Sequence, residues 1–216
     1  MATRQYASSY SGTFETFTRS YLSATAHTPQ VSFSIAYEGT FGGYTGNYLK
    51  DNSIIDIGSG RSTLVDDLCA LGYKKLTLLD VSEEAISQTL RRLGNSPISI
   101  STIYGDISKI TVQENLYDLW HDRAVFHFLT EESQRNKYVQ NLKRSLKKNG
   151  IAIIATFGPD GPDKCSGLNT MKYDKTTLHA ELGDDFQILG SKIDYHQTPF
   201  NTSQQFIYCW FKFKIK

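Results

Sequence analysis

The chain has 216 residues, enough for one α/β domain with a short extension, and its 23 Lys and Arg against 22 Asp and Glu leave a net charge of +1. No basic stripe marks a nucleic-acid footprint, no apolar run is long enough to span a bilayer, and no secretory signal is visible. Cys69, Cys165 and Cys209 lack CxxC spacing, which suits a reducing, cytoplasmic compartment, and no His/Cys cluster has metal-ligand spacing, so no metal is expected.

Residues 1–50 read as an N-terminal extension to a domain spanning 51–216. Tyr6, Tyr10, Phe14, Phe17 and Tyr21 lie four, four, three and four apart, an aromatic stripe along one helical face. Such a helix either packs on the sheet of the domain or closes over its ligand site as a lid. Gly39 to Gly46, with Gly42-Gly43 and Tyr44, reads as a flexible loop.

The domain opens with Ser-Ile-Ile-Asp-Ile-Gly-Ser-Gly at 53–60. The apolar run predicts a strand over 53–57, then a glycine turn and a helix over 62–72. Glycines let the backbone turn sharply and approach a ligand, and the free N–H groups of the helix face the same spot. A second strand, 75–80, ends in Asp80, twenty-four residues after Asp56, where an acid can grip a ribose diol. Ser82 caps a helix over 83–93 with acids in its first turn. A third strand, 98–104, ends in Gly105-Asp106-Ile107, and a fourth covers 116–121.

Thr63 stands where a dinucleotide fingerprint needs its third glycine, and Asp56 would repel a pyrophosphate while attracting a positively charged amino group. No Gly-Lys-Ser/Thr follows, which excludes a phosphate loop. A helix over 131–148 carries acids first and bases last and stops at Asn149 or Gly150. A strand over 151–157 and a helix over 174–182 follow. Segments 186–195 and 204–214 alternate with period two around a Pro-containing loop, His196 to Ser203, and predict an antiparallel pair.

The Asp56-x-Gly58-x-Gly60 pattern, with acids ending the first three strands, resembles motif I and its companions in the class I S-adenosylmethionine (SAM) methyltransferases. Five parallel strands closed by a hairpin are similar to the sheet of that family. The resemblance implies an α/β, doubly wound, mostly parallel seven-stranded sheet with a C-terminal antiparallel hairpin. It implies S-adenosyl-L-methionine as cofactor, held by Asp56, Gly58, Ser59, Gly60, Asp80, Val81, Asp106, Ile107 and His121. In the family the acid at Asp106 accepts from the adenine amino group and the next residue, Ile107, packs on the ring. Residues 118–129, 155–168, 195–200 and 204–209 look like a group of small stand-alone bacterial-type SAM methyltransferases. A weaker resemblance runs to small lysine methyltransferases of elongation factors, which carry Asp-Lys/Arg-Gly after strand four. Ala124 replaces that glycine here.

Methyl transfer needs a general base only when the nucleophile arrives protonated. The catalytic candidates are His121 and Asp122, at the carboxyl end of strand four beside the expected sulfonium, and His127 on the following turn, with His196 a further candidate base. The plainer readings are that a histidine there caps the next helix and that Arg123 pairs with Asp122. Cys165 either approaches substrate or is a buried thiol. No Asn/Asp-Pro-Pro-Tyr motif follows strand four, which disfavours amino groups of bases or Gln as acceptors. The expected activity is methyl transfer to a small-molecule acceptor. A protein-lysine acceptor and a non-catalytic SAM- or nucleoside-binding protein are the alternatives. No membrane or nucleic-acid partner is expected, and the oligomeric state is left open.

Overall fold

The computed structural model describes residues 51–94, 98–197 and 202–214. The aromatic stripe from Tyr6 to Tyr21, the glycine segment 39–46 and residues 198–201 of the Pro-containing loop lie outside the described residues.

One seven-stranded sheet organises the domain. Its strands are β1 (Ser53–Ile57), β2 (Lys75–Asp80), β3 (Ile100–Tyr104), β4 (Tyr117–Arg123), β5 (Leu146–Phe157), β8 (Phe186–Gln197) and β9 (Ser203–Phe213). Their spatial order is β3-β2-β1-β4-β5-β9-β8. β1 to β5 run parallel, and β9 pairs antiparallel with both β5 and β8. The expected sheet is the one observed. A two-stranded hairpin, β6 (Lys164–Cys165) and β7 (Leu168–Asn169), stands apart from it.

Among the described residues four helices cover the sheet: α1 (Leu64–Ala70), α2 (Glu83–Leu93), α3 (Glu132–Ser145) and α4 (Lys175–Leu182). Every residue of β1 is buried, as a parallel strand covered on both faces requires. Leu64, Val65 and Leu68 of α1 pack on Ile54, Leu78, Leu119, Ile153 and Phe206. Tyr138 and Leu142 of α3, with Leu178 and Leu182 of α4, pack on Ile55, Trp120, Ile154 and Phe211. The sheet thus has an α1 face and an α3 face. The chain steps outward from β1 to β2 and β3, then returns to β4 on the other side of β1. That reversal opens the crevice where doubly wound sheets bind ligands. Among the described residues no helix is long and apolar enough to cross a membrane.

Several boundaries depart from the sequence reading by a few residues, and two have a cause in the surrounding structure. α3 stops at Ser145 and the chain enters β5 directly, three residues before the expected helix end at 148. The N–H groups of Asn115 and Leu116 donate to the carbonyls of Arg144 and Ser145 at 2.9 Å each, so a neighbouring loop takes the terminal acceptors and ends the helix. β4 runs two residues past its expected end, to Arg123, because Asp122 and Arg123 continue the pairing with Ile154 and Ala155.

Gly190 faces the Trp210 indole across the β8–β9 pair, where an added Cβ would lie 2.6 Å from Cζ2. Gly190→Ala should therefore lower unfolding free energy by about 1–3 kcal/mol through overpacking. Urea denaturation checks this, and an unchanged midpoint would show that Trp210 moves aside freely.

Candidate functional site

The glycine loop leaves β1 with Gly58 and Gly60 both at positive φ, 65° and 50°. Such angles suit glycine, and a Cβ on Gly58 would also collide with Val125 Cγ2 beyond the end of β4. Asp80 braces the loop. Its Oδ2 accepts the Gly60 N–H at 2.8 Å, and its Oδ1 accepts the Ser82 N–H at 2.8 Å. Burial pushes the Asp80 carboxyl above its ordinary value, against the Ser82 and Gly60 N–H groups, and the nearby Asp56 charge adds to the rise. Each carboxylate oxygen has two acceptor sites, so the bracing leaves further acceptor capacity. Ser59 Oγ is buried with no hydrogen-bond partner among the described residues. Val81 follows Asp80 and is exposed.

Asp106 lies past the end of β3, and its Oδ1 accepts from Ser108 Oγ at 2.6 Å and Ser108 N at 2.9 Å. Burial works to raise its carboxyl, but the two Ser108 bonds and the Lys109 ammonium outweigh it and hold the group below the usual range. Ile107 is buried in the core on the α3 face. Asn141 of α3 fixes it by donating to the Ile107 carbonyl at 2.8 Å.

β4 splits the candidate catalytic residues between the two faces. His121 turns toward α1, where its Nδ1 lies 2.7 Å from Asp56 Oδ1, its register neighbour on β1. A carboxylate only accepts, so Nδ1 carries the proton and a neutral His121 ring presents Nε2 as an acceptor. Asp56 and His121 are both buried.

Asp122 turns to the α3 face, away from His121 and the glycine loop, which corrects its placement as a catalytic candidate. Its Oδ2 accepts the Tyr138 hydroxyl at 2.6 Å and the Phe126 N–H at 3.1 Å, and its Oδ1 accepts the Val125 N–H at 2.9 Å. The Tyr138 hydroxyl in turn accepts the Trp120 Nε1–H at 2.8 Å. Asp122 is thus the centre of a closed polar network that caps the 3-10 turn Phe126–Phe128. It does not pair with Arg123, which turns to the α1 face and donates from Nε to the Tyr208 hydroxyl at 2.8 Å.

His127 is fully buried, with its Nδ1 accepting the Phe157 N–H at 3.1 Å. Burial, then the Arg123 charge, pushes its pKa down to about 3. A ring kept neutral at Nδ1 by a backbone donor does not take a substrate proton, which corrects its candidacy as a base. His196 sits on β8 near Phe206, and burial and Arg123 lower its pKa against the pull of Asp194. Cys165 is a buried thiol whose pKa burial raises, so it is the inert alternative of the two expected. Among the described residues no three His, Cys, Asp or Glu side chains group as a metal site. Arg123, Tyr208 and Phe206 were not singled out from the sequence as site residues. The period-two alternation of β4 was the available signal, since it puts Arg123 on the face of His121.

Residues 54–150 match the family described as Methyltransferase domain. A solved SAM-dependent methyltransferase from Methanosarcina mazei superposes with a TM-score of 0.65 at 15% identity, covering 78% of this chain and 95% of that one. The fold is thus that of solved SAM-dependent methyltransferases, and residues 54–150 carry the match to a methyltransferase domain. Malonyl-[acyl-carrier protein] O-methyltransferase of Halalkalibacterium halodurans is 29% identical over 113 residues, 50% of this chain and 40% of that protein. EEF1A lysine methyltransferase 2 of Homo sapiens is 25% identical over 114 residues, 49% of this chain and 48% of that protein. The chain spans less than half the length of the curated relatives it matches.

Burial, against the Tyr138 and Val125 bonds, pushes the Asp122 carboxyl up to about 6. The native state therefore binds this proton more tightly than the unfolded chain does. The associated stability is fully present below the unfolded value of about 3.9 and is lost as pH rises through about 6. Asp122→Asn, which cannot ionise, should abolish that decline. The wild-type minus variant difference in unfolding free energy should shift by on the order of 2 kcal/mol between about pH 4 and pH 7. Urea melts across that range check it, and a constant difference would refute it.

Proposed function

We propose that the protein transfers a methyl group from SAM to a small-molecule acceptor. One observation carries this reading: at the β1/β4 switch point a positive-φ glycine loop braced by Asp80 faces the Asp56–His121 pair. The residues fit SAM. Gly58, Ser59 and Gly60 would lie against the cofactor, with the buried Ser59 hydroxyl free to bond it. The acceptor sites left on Asp80 would take ribose hydroxyls, with Val81 beside them, and Asp106 and Ile107 would border the adenine.

SAM supplies a methyl group on a sulfonium centre, a leaving group that needs no acid. The protein's share is then orientation and dehydration. Asp56 fixes the His121 ring, and the Nε2 of that ring would accept a proton from a nucleophile that arrives protonated. The three cysteines without CxxC spacing suit a cytoplasmic enzyme. The likeness to a human lysine methyltransferase favours one other reading, a protein-lysine acceptor.

Methyl-tritiated SAM offered with a small-molecule extract and, separately, with a protein extract decides between these readings. Label should enter the small-molecule fraction. Label in protein alone would establish the lysine reading, and label in neither, with SAM still bound, would leave a non-catalytic SAM-binding protein.

Calorimetric titration should show SAM binding and no NAD binding. Asp80→Ala should weaken SAM by roughly 2–3 kcal/mol, the scale of charge-assisted hydrogen bonds. It should also lower Tm, because the Gly60 brace is lost. Undiminished affinity in the variant would remove Asp80 from the cofactor site.

A further inference from the structure

β8 is an outer strand of the sheet, and among the described residues its one strand partner is β9. Its other edge carries backbone N–H and C=O groups that can pair with a further strand. A bulge between Ile188 and Gly190 interrupts β8, but over residues 190–196 the register with β9 is unbroken and no proline intervenes. Ile193 and Tyr195 are 47% and 62% exposed, two of four large hydrophobic side chains open to solvent among the described residues. Half of that exposed apolar surface chemistry thus falls on one short edge. Both side chains lie on the α3 face, beside Ile207 and Gln205 of β9. Gln205 Nε2 donates to the Tyr195 hydroxyl at 3.0 Å and so anchors the ring there.

The order of side chains along this edge is self-complementary. Two copies joined edge to edge and antiparallel are related by a two-fold axis normal to the sheet. Directly opposed residues point to the same face, so that axis passes through a residue and not between two. With the axis at Ile193, Lys192 stands opposite Asp194 of the second copy, and Asp194 opposite the second copy's Lys192. Ile193 then meets its own counterpart. Tyr195 falls opposite the small Ser191, and His196 opposite Gly190, so large meets small on both faces. An axis at Lys192 or Asp194 would instead oppose like charges. β3, the outer strand at the other end of the sheet, is shorter and carries no charged side chain, so it offers no such code.

We propose that residues 190–196 of β8 are a docking edge for a second copy of this chain, joining two sheets into one across a two-fold axis at Ile193. The backbone ladder supplies attraction, and the side chains select partner and register. A lysine on an edge strand serves to keep other strands away. Asp194, two residues on, turns that guard into a selector, because the edge of a second copy presents the matching acid. The ladder is short, so the dimer is weak and depends on concentration. The inference does not depend on which acceptor the protein methylates or on its binding SAM.

Sedimentation equilibrium of the full chain, from micromolar to near-millimolar, should show a reversible monomer–dimer equilibrium. Asp194→Lys and Lys192→Asp each oppose like charges at two symmetric positions. Each should weaken the dimer by about tenfold or more, as several small cross-strand contributions together imply. The double variant exchanges the two signs within one chain and should recover most of that loss. Ile193→Asp, which sets two carboxylates against each other on the axis, should leave monomer. Circular dichroism checks the fold of each variant, and recovery in the double variant separates pairing from misfolding. A wild-type chain that stays monomeric throughout would overturn the proposal, leaving the edge to residues 1–50 or to a different protein. A dimer that survives Ile193→Asp, or a double variant no better than the single ones, would overturn it as well.

Discussion

β4 lies in the middle of the sheet between β1 and β5, so each of its residues is committed to one face. Trp120 and Asp122 belong to the α3 face, and His121 and Arg123 belong to the α1 face. A one-residue slip would exchange the sets. Asp122 would then meet the Asp56 carboxylate, and Arg123 would be driven under α3 without its tyrosine. Either outcome puts a charge against a like charge or into an apolar layer, which costs several kcal/mol. The flanking apolar pattern holds the register, with Leu119 on one face and Trp120 on the other. Core packing on β4 therefore decides which polar groups can reach a ligand.

The electrostatics of the α1 face follow from that division. Arg123 is the fixed positive charge, and it helps keep His127 and His196 neutral alongside their burial. Of the four candidate proton carriers, His121 alone is joined to a carboxylate across the β1/β4 crevice. Asp122 is already satisfied by one hydroxyl and two backbone N–H groups, and His127 by a backbone N–H at its accepting nitrogen. His121 and Arg123, two positions apart on one strand, thus have different partners on the same face.

The strand–glycine–helix unit at 53–70 and the acids at Asp80 and Asp106 were legible because buried parallel strands leave short apolar runs and sharp turns need glycine. The late antiparallel pair was legible from its period-two alternation. The end of α3 was not, because Lys147 and Lys148 suit a helix terminus and the carbonyls were claimed by Asn115 and Leu116 from a distant loop. The β6–β7 hairpin turns on Ser166 and Gly167, both at positive φ, 50° and 82°, and a short Ser-Gly pair is a weak signal for such a turn. Asp122 and His127 were visible as residue types near the right strand end. Their burial depends on partners in α3 and β5 that the local sequence does not name.

The segment after β4 links the end of that strand to the glycine loop. Ala124 sits at φ 71°, a left-handed conformation that costs an alanine roughly 1–2 kcal/mol. It is held there from both sides. Its N–H donates to the Ala155 carbonyl at 2.9 Å, and Asp122 captures the next two N–H groups, those of Val125 and Phe126. Glycine at this position would adopt the same backbone without strain. Val125, fixed by this clamp, is the side chain that fills the space a Cβ on Gly58 would need. The cofactor loop therefore rests on the same short backbone that ends in Arg123 on its other side. Asp122, from the opposite face of β4, thereby helps set where Val125 meets Gly58.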